Sequence, residues 1–187
     1  MKLKSLNLLK LSLMVILAIA KPIIANDPIT VPKIELNRYV GSWYEIARLP
    51  NFFQNKCTRN TTATYKLLDS GLIEICNTCT AVDGKIIQAK GIARIDDKKQ
   101  NSKLSVSFFE ILGVRPVWGD YWILAIADDY RFSVVGDRSR KYAWILSRTP
   151  QLTARDLSTA IDTLKSNGFD TQLLITTPQS DGLPRSK

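Results

Sequence analysis

The sequence predicts an all-β domain: an eight-stranded antiparallel up-and-down β-barrel with one C-terminal α-helix packed on its outside. Three observations carry that expectation. From Gly41 to Arg148 the chain breaks into eight short segments rich in β-branched and aromatic residues, with turn chemistry roughly every ten residues. No helical periodicity falls between those segments, and a single amphipathic stretch follows the last of them. Consecutive antiparallel strands in this number remove their exposed edges by closing on themselves, and a barrel of eight leaves an interior able to hold one small ligand. A two-sheet sandwich is the alternative topology.

Residues 1–25 read as a secretory signal. Lys2, Lys4 and Lys10 give a positive start, and Leu11 to Ala20 form an apolar run too short to cross a bilayer as a helix. Pro22 can break that run, and Ala25 or Ala20 offers the cleavage site. No cysteine stands near either site, so the leader does not provide the acyl anchor of a bacterial lipoprotein. Export without a lipid anchor is expected, to a periplasm, to the surface of an outer membrane, or out of the cell. The folded domain is then 26–179, and 180–187 is a flexible tail.

A short turn-like run, Glu35 to Tyr39, leads into Val40-Gly41-Ser42-Trp43-Tyr44-Glu45-Ile46-Ala47-Arg48. Gly41 lets the backbone bend with positive φ, and Trp43 sets a large apolar plate at the start of the first strand. Such a tryptophan either plugs the base of a closed sheet or is an ordinary core residue beside a turn. The alternation from Trp43 to Arg48 is too impure to say which face is buried. Leu49 to Cys57 is a long loop whose Phe52 and Phe53 either cap the core or form an apolar lid over a cavity.

Thr61 to Leu68 is rich in β-branched residues and reads as the second strand, Asp69-Ser70-Gly71 as its turn, and Leu72 to Asn77 as its partner. Asp83-Gly84 turns the chain into Lys85 to Ile95. After the polar turn Asp96 to Ser102, Leu104, Val106 and Phe108 alternate on one face of Lys103 to Phe109. The loop Glu110 to Gly119 carries Ile111, Leu112, Val114, Val117 and Trp118, and apolar side chains in a loop need cover from a core, a ligand or a membrane. Tyr121 to Ala127, Arg131 to Val135 and Lys141 to Arg148 complete the set. Beyond them Thr153 is the expected N-cap of a helix, with Asp156 in the capping-box position. Leu157, Ala160, Ile161 and Leu164 form its buried face, and Gly168 ends it. Thr171 to Thr176 reads as a final short strand.

Composition narrows the function. The chain of 187 residues carries 26 Lys+Arg against 17 Asp+Glu and no histidine. The leader holds four of the lysines and no acid, which leaves the remainder at +5. These charges are dispersed, which argues against nucleic-acid binding and allows transient contact with an anionic membrane surface. Without histidine, Ser-His-Asp and Cys-His mechanisms and His-containing zinc sites are excluded. Three cysteines cannot build an all-thiolate zinc site. No metal and no cofactor is expected, and catalysis is disfavoured before any motif is weighed.

Several motifs then fall into one order. Gly41-Ser42-Trp43, Asp128-Asp129-Tyr130 in a late turn (with Ala127 where a threonine is usual) and Arg148 after the eighth strand resemble the three signatures of the lipocalin family. Trp43-Tyr44-Glu45-Ile46-Ala47-Arg48, Thr62-Ala63-Thr64-Tyr65, Val106-Ser107-Phe108-Phe109 and Trp144 to Pro150 resemble its bacterial outer-membrane-type members and apolipoprotein D. The similarity runs from about Ile34 to Gln179. It implies a calyx whose base is closed by Trp43 with the Arg148 guanidinium laid across the indole, so that Gly41, Trp43, Asp129 and Arg148 are structural. By position it implies a ligand cavity lined by Tyr65, Asn77, Phe108, Leu112 and Trp144. In the same registers Ala63, Ile75, Val106 and Leu146 point inward, and Leu112 and Trp118 stand at the mouth. Each of these residues could equally be ordinary barrel filling.

The resemblance also suggests a Cys57–Cys79 bridge, with Cys76 left as a free thiol or a competitor. The implied ligand is a fatty acid or lysophospholipid carried without chemistry by a monomer or a homodimer, with envelope upkeep as the implied task. The competing readings are a lipocalin-type isomerase, for which Cys76, Glu45 or Asp129 would have to act, and an interaction module using the apolar 111–118 loop.

Overall fold

Residues 26–179 are described by a computed structural model; the expected signal at 1–25 and tail at 180–187 lie outside them. After a one-turn helix, α1 (Leu36–Tyr39), come eight strands: β1 (Gly41–Arg48), β2 (Arg59–Leu67), β3 (Ile73–Thr80), β4 (Ile86–Ile95), β5 (Lys103–Ser107), β6 (Gly119–Ile126), β7 (Phe132–Gly136) and β8 (Ala143–Ser147). Helix α2 (Ala154–Ser166) and a two-residue strand, β9 (Ile175–Thr176), follow. Each strand from β2 to β8 pairs antiparallel with the next, and β1 closes the ring by pairing with both β2 and β8. The sheet is a closed eight-stranded antiparallel barrel with one added strand and one helix outside. The sandwich is ruled out.

The mixed pattern of β1 has a physical cause. Its inner face carries Trp43 and Glu45, while its outer face carries Tyr44 and Ile46 beneath the helix layer, so both faces are buried. A bulge between Glu45 and Ala47 then shifts the register, pairing Glu45 with Leu146 and Arg48 with Trp144. Leu146 and Trp144 belong to the barrel interior, so the bulge turns Glu45 and Arg48 to the same inward side. A bulge of this kind re-aims a side chain without ending the strand.

Helix α2 packs Ala160 and Leu164, both fully buried, with Leu157 and Ile161 beside them, against Phe132, Val134 and Ile145 of the wall. Thr153 caps its start by accepting from the Asp156 N–H at 3.1 Å. The reciprocal half of a capping box is not made, because the Asp156 carboxylate pairs with Arg131 instead at 2.7 and 3.0 Å. Gly168 follows the helix at φ +81°, the left-handed conformation favoured there.

The last expected strand is shorter than its sequence suggests. Asp170 accepts from the Gln172 N–H and turns 171–173 into a 3-10 helix, local bonding that competes with extension. Only Ile175 and Thr176 reach the free flank of β1, opposite Arg48 and Ala47. Beyond them the Thr177 N–H donates to Ile46 O, the Asn60 N–H donates to Pro178 O, and the Gln179 amide donates to the carbonyls of Glu45 and Thr61. The C-terminal segment thus fills the upper part of the seam between β1 and β2. Strand β5 also ends early, at Ser107: its hydroxyl donates to Phe109 O and its carbonyl accepts from Arg115, which turns Phe108 and Phe109 out of the ladder.

Candidate functional site

The strand directions give the barrel two ends. At the base, Trp43 is completely buried, and its indole N–H donates to Tyr39 O at 2.8 Å. The Arg148 guanidinium lies 3.7 Å from the Trp43 ring centroid. Its Nη1 donates to Ser42 O at 2.8 Å, and its Nη2 faces the carbonyls of Arg38, Tyr39 and Val40 at 2.7 to 3.0 Å. These carbonyls end helix α1, so one cation caps a helix C-terminus and covers the plug at once. Gly41 has φ +93°, and an added Cβ would stand 3.5 Å from Arg148 Nη1. Asp129 is exposed beside this end and pairs with Arg131 at 2.9 Å. Arg131 also holds Asp156, so it staples the 128–130 turn to helix α2. Its backbone and side-chain N–H groups hold the Asp129 carboxyl below the ordinary carboxylate range, and the Asp156 carboxyl is lowered by the same guanidinium.

Above the plug is a floor of three phenols. The Tyr121 hydroxyl lies 2.8 Å from that of Tyr39 and 2.9 Å from that of Tyr65. Burial pushes the Tyr39 ionisation up to about 12, and Tyr65 and Tyr121 higher still. All three are therefore neutral hydroxyls near pH 7 and none can act as a base. The walls above are apolar: Ile75, Leu104, Ile123, Val135 and Leu146 are buried and point inward. Asn77 lies one inward step above Ile75 on β3, opposite Ala63 and Ala89. Its Oδ1 is buried and has no hydrogen-bond partner among the described residues.

Near the mouth the interior turns polar on the β1 side. Glu45 is buried; one carboxylate oxygen accepts from the Thr177 hydroxyl at 2.5 Å and the other from the Gln54 amide at 2.7 Å. Burial raises its pKa, against the opposing pull of those two donors and of Arg48. Gln54 Oε1 in turn accepts from the Trp144 indole at 3.0 Å and the Asn51 amide at 2.7 Å. This network folds the Phe52–Gln54 turn over the mouth, where Phe53 meets Trp144 and Tyr142 at centroid distances of 6.3 and 5.5 Å. Arg48 completes the group: it is 9 % exposed, and its Nε lies 3.8 Å from Glu45 Oε1 without a hydrogen bond.

The structure therefore brings Tyr65, Ile75, Asn77 and Trp144 to one interior. Phe108 is half-exposed at the rim with its ring over Gly91, where a Cβ would stand 2.7 Å from the Phe108 Cδ1. Leu112 is not brought to the wall: it sits at φ +49° on the tip of the 108–118 loop, 98 % exposed. Trp118 is also displaced, onto the outer wall, where the Arg94 guanidinium lies 4.4 Å from its ring centroid. Arg94 stands between the inward-facing Ala93 and Ile95 and so points out. Cys57 and Cys79 are disulfide-bonded with Cα atoms 5.5 Å apart, and Cys76 is free on the outward side of β3 between Ile75 and Asn77. Sequence reasoning passed over Tyr39, Tyr121, Gln54 and Arg48. Of these only Tyr121 had a readable signal, its alternation with Ile123.

A family model for the lipocalin-like domain matches residues 34–179. Temperature-induced lipocalin-1 of Arabidopsis thaliana is 40 % identical over 159 residues, covering 83 % of this chain and 85 % of that protein. Mouse apolipoprotein D is 32 % identical over 163 residues (83 % and 82 %). Outer membrane lipoprotein Blc of Vibrio cholerae is 33 % identical over 147 residues (78 % and 82 %). Among solved structures, insecticyanin of Manduca sexta superposes with a TM-score of 0.67 at 25 % identity, over 84 % of this chain and 87 % of that one. Lobster apocrustacyanin A1 superposes at 0.62 with 21 % identity (79 % and 81 %), a likeness of fold alone.

Proposed function

Because the chain belongs to the lipocalin family, whose members bind small hydrophobic ligands, we propose that it carries one small amphiphile, a fatty acid or lysophospholipid, inside the barrel and performs no chemistry on it. The observation that supports this most is the gradient along the interior. A neutral phenolic floor and an apolar wall give way to polar side chains near the mouth, which suits a ligand with an apolar tail and a polar head. Burial of the tail contributes about 0.8 kcal/mol per CH₂. The isomerase alternative lacks machinery at this site: both Glu45 oxygens are engaged, the phenols are neutral, and Cys76 faces outward.

Export follows from the leader-like sequence at 1–25, and one relative is named an outer membrane lipoprotein. A task in envelope upkeep would fit that location. Phe52, Phe53, Phe109, Leu112, Val114 and Val117 are exposed around the mouth. That apolar rim supports transient contact with a membrane surface during loading, or with a protein partner.

Native mass spectrometry of protein purified from its own host, followed by lipid extraction, tests the carrier. A stoichiometric amphiphile is the expected result. A barrel that arrives empty and then binds neither fatty acid nor lysophospholipid in a fluorescence displacement assay would undo the reading.

A further inference from the structure

We propose that Arg48 anchors the head of the ligand and that the head is anionic, a carboxylate or a phosphate. This rests on the carrier reading and adds the chemistry of the polar end. A guanidinium has five N–H donors. In Arg48 none of them has a hydrogen-bond acceptor among the described residues, although the side chain is about nine-tenths buried. A buried cation is costly unless it is paired and hydrogen-bonded.

Glu45 does not fill that need. At 3.8 Å it is beyond hydrogen-bond range of Arg48 Nε. Its two oxygens already accept from Thr177 and Gln54, so it compensates the charge and leaves the donors free. The neighbouring donors are committed, the Trp144 indole to Gln54 and the Gln54 amide to Glu45, and the buried group left without a partner beside them, Gln179 Oε1, is an acceptor. Of the donors named at this mouth, Arg48 keeps its capacity among the described residues.

The placement gives the ligand a direction. Arg48 is the last residue of β1, turned inward by the bulge and paired across the strands with Trp144 on one side and Ile175 on the other. Its fork matches the two oxygens of a carboxylate or phosphate. A head held there sits under the mouth, and the tail runs down past Leu146 and Ile75 to the phenolic floor.

The test compares heads on one tail. Myristate, 1-myristoyl-lysophosphatidate and tetradecan-1-ol compete with a neutral fluorescent probe for the wild type, Arg48→Leu and Glu45→Gln. Wild type should favour at least one anion over the alcohol by about tenfold or more, as charge-assisted bidentate bonding would give. Whichever anion loses more in Arg48→Leu identifies the head as carboxylate or phosphate. In that variant the preference should fall to within about twofold while alcohol binding is retained, as expected if only the charged contact is lost. Glu45→Gln should strengthen both anions and leave the alcohol alone, and it decides the matter if Arg48→Leu does not fold. An anion preference that survives Arg48→Leu, or is absent from wild type, overturns this inference alone. If Arg48→Leu does not fold, an unchanged ratio in Glu45→Gln overturns it. Failure of all three compounds to displace the probe from wild type overturns the carrier reading and this inference with it.

Discussion

Replacing Arg148 with alanine removes two kinds of contact from the base of the barrel. The guanidinium 3.7 Å over the Trp43 ring is worth about 1–2 kcal/mol as a partly desolvated cation–π pair. Its Nη1 bonds one carbonyl, and the two Nη2 protons are shared among three more. Fully buried, each charge-assisted bond would be worth about 1.5–3 kcal/mol. Arg148 is only half-buried and the freed carbonyls can rehydrate, so about 0.5 kcal/mol each is the reasonable share. The sum is about 3–4 kcal/mol, which for a domain of this size lowers Tm by roughly 6–15 °C. Arg148→Lys keeps the charge but loses the planar stack and the fork, and should recover less than half of the loss. Ligand preference should not change, because Trp43 and the phenols lie between Arg148 and the ligand. Thermal melts by circular dichroism, paired with displacement assays, check both parts. An Arg148→Ala protein that melts within about 2 °C of wild type would refute the energetic argument. Wild-type melting with altered ligand preference would refute the structural role itself.

Three further outcomes follow from named contacts. In Gly136→Ala the new Cβ runs into Phe169 Cζ and stands 3.0 Å from Leu124 Cδ1, so overpacking should cost about 1–3 kcal/mol. Denaturant titration should show less than additive loss when it is combined with Phe169→Leu; strict additivity would show that the two do not touch. The Cys57–Cys79 bridge spans 22 residues and should add about 3 kcal/mol through loop closure. Thiol titration of the unfolded, unreduced protein should find one thiol, Cys76, and a count of three would remove the bridge. Burial raises the Glu45 pKa above its ordinary 4.5, so its contribution is present while it is protonated and is lost as pH rises through the folded value. The Tm of wild type should therefore fall relative to Glu45→Gln as pH rises above 4.5, and a constant difference would refute the assignment.

The parts of the fold that could be read in advance are those where apolar and polar side chains separate onto opposite faces. Leu104 and Val106 against Ser105, and Leu157, Ala160 and Leu164 against the polar side of α2, carry their period openly. Strand β1 hides it, because helix and barrel bury both of its faces and a bulge breaks the count between Glu45 and Ala47. That break is why Arg48 could not be seen as an interior residue. The phenolic floor was illegible for another reason: Tyr39, Tyr65 and Tyr121 come from a one-turn helix and two distant strands. Only closure of the ring joins them. Leu112 and Trp118 show the converse error, since apolar residues in a connector carry no sign of whether they face in or out. Arg94 decided Trp118, by offering its ring a cation on the outer wall.

The C-terminal segment in the seam between β1 and β2 also orders events in time. Thr177 reaches Glu45 across 132 positions of sequence, and Asn60 and Thr61 wait for Pro178 and Gln179. A chain emerging N-terminus first can pair β1 with β2 at the base and add β3 to β8 in turn, yet the upper seam stays unsealed until residues 177–179 arrive. Long-range closures of this kind come late because their entropy is lost before their contacts form. The cup becomes watertight last on the side where Arg48 sits. A chain delivered across a membrane would therefore have no finished binding chamber until residues 177–179 had passed through.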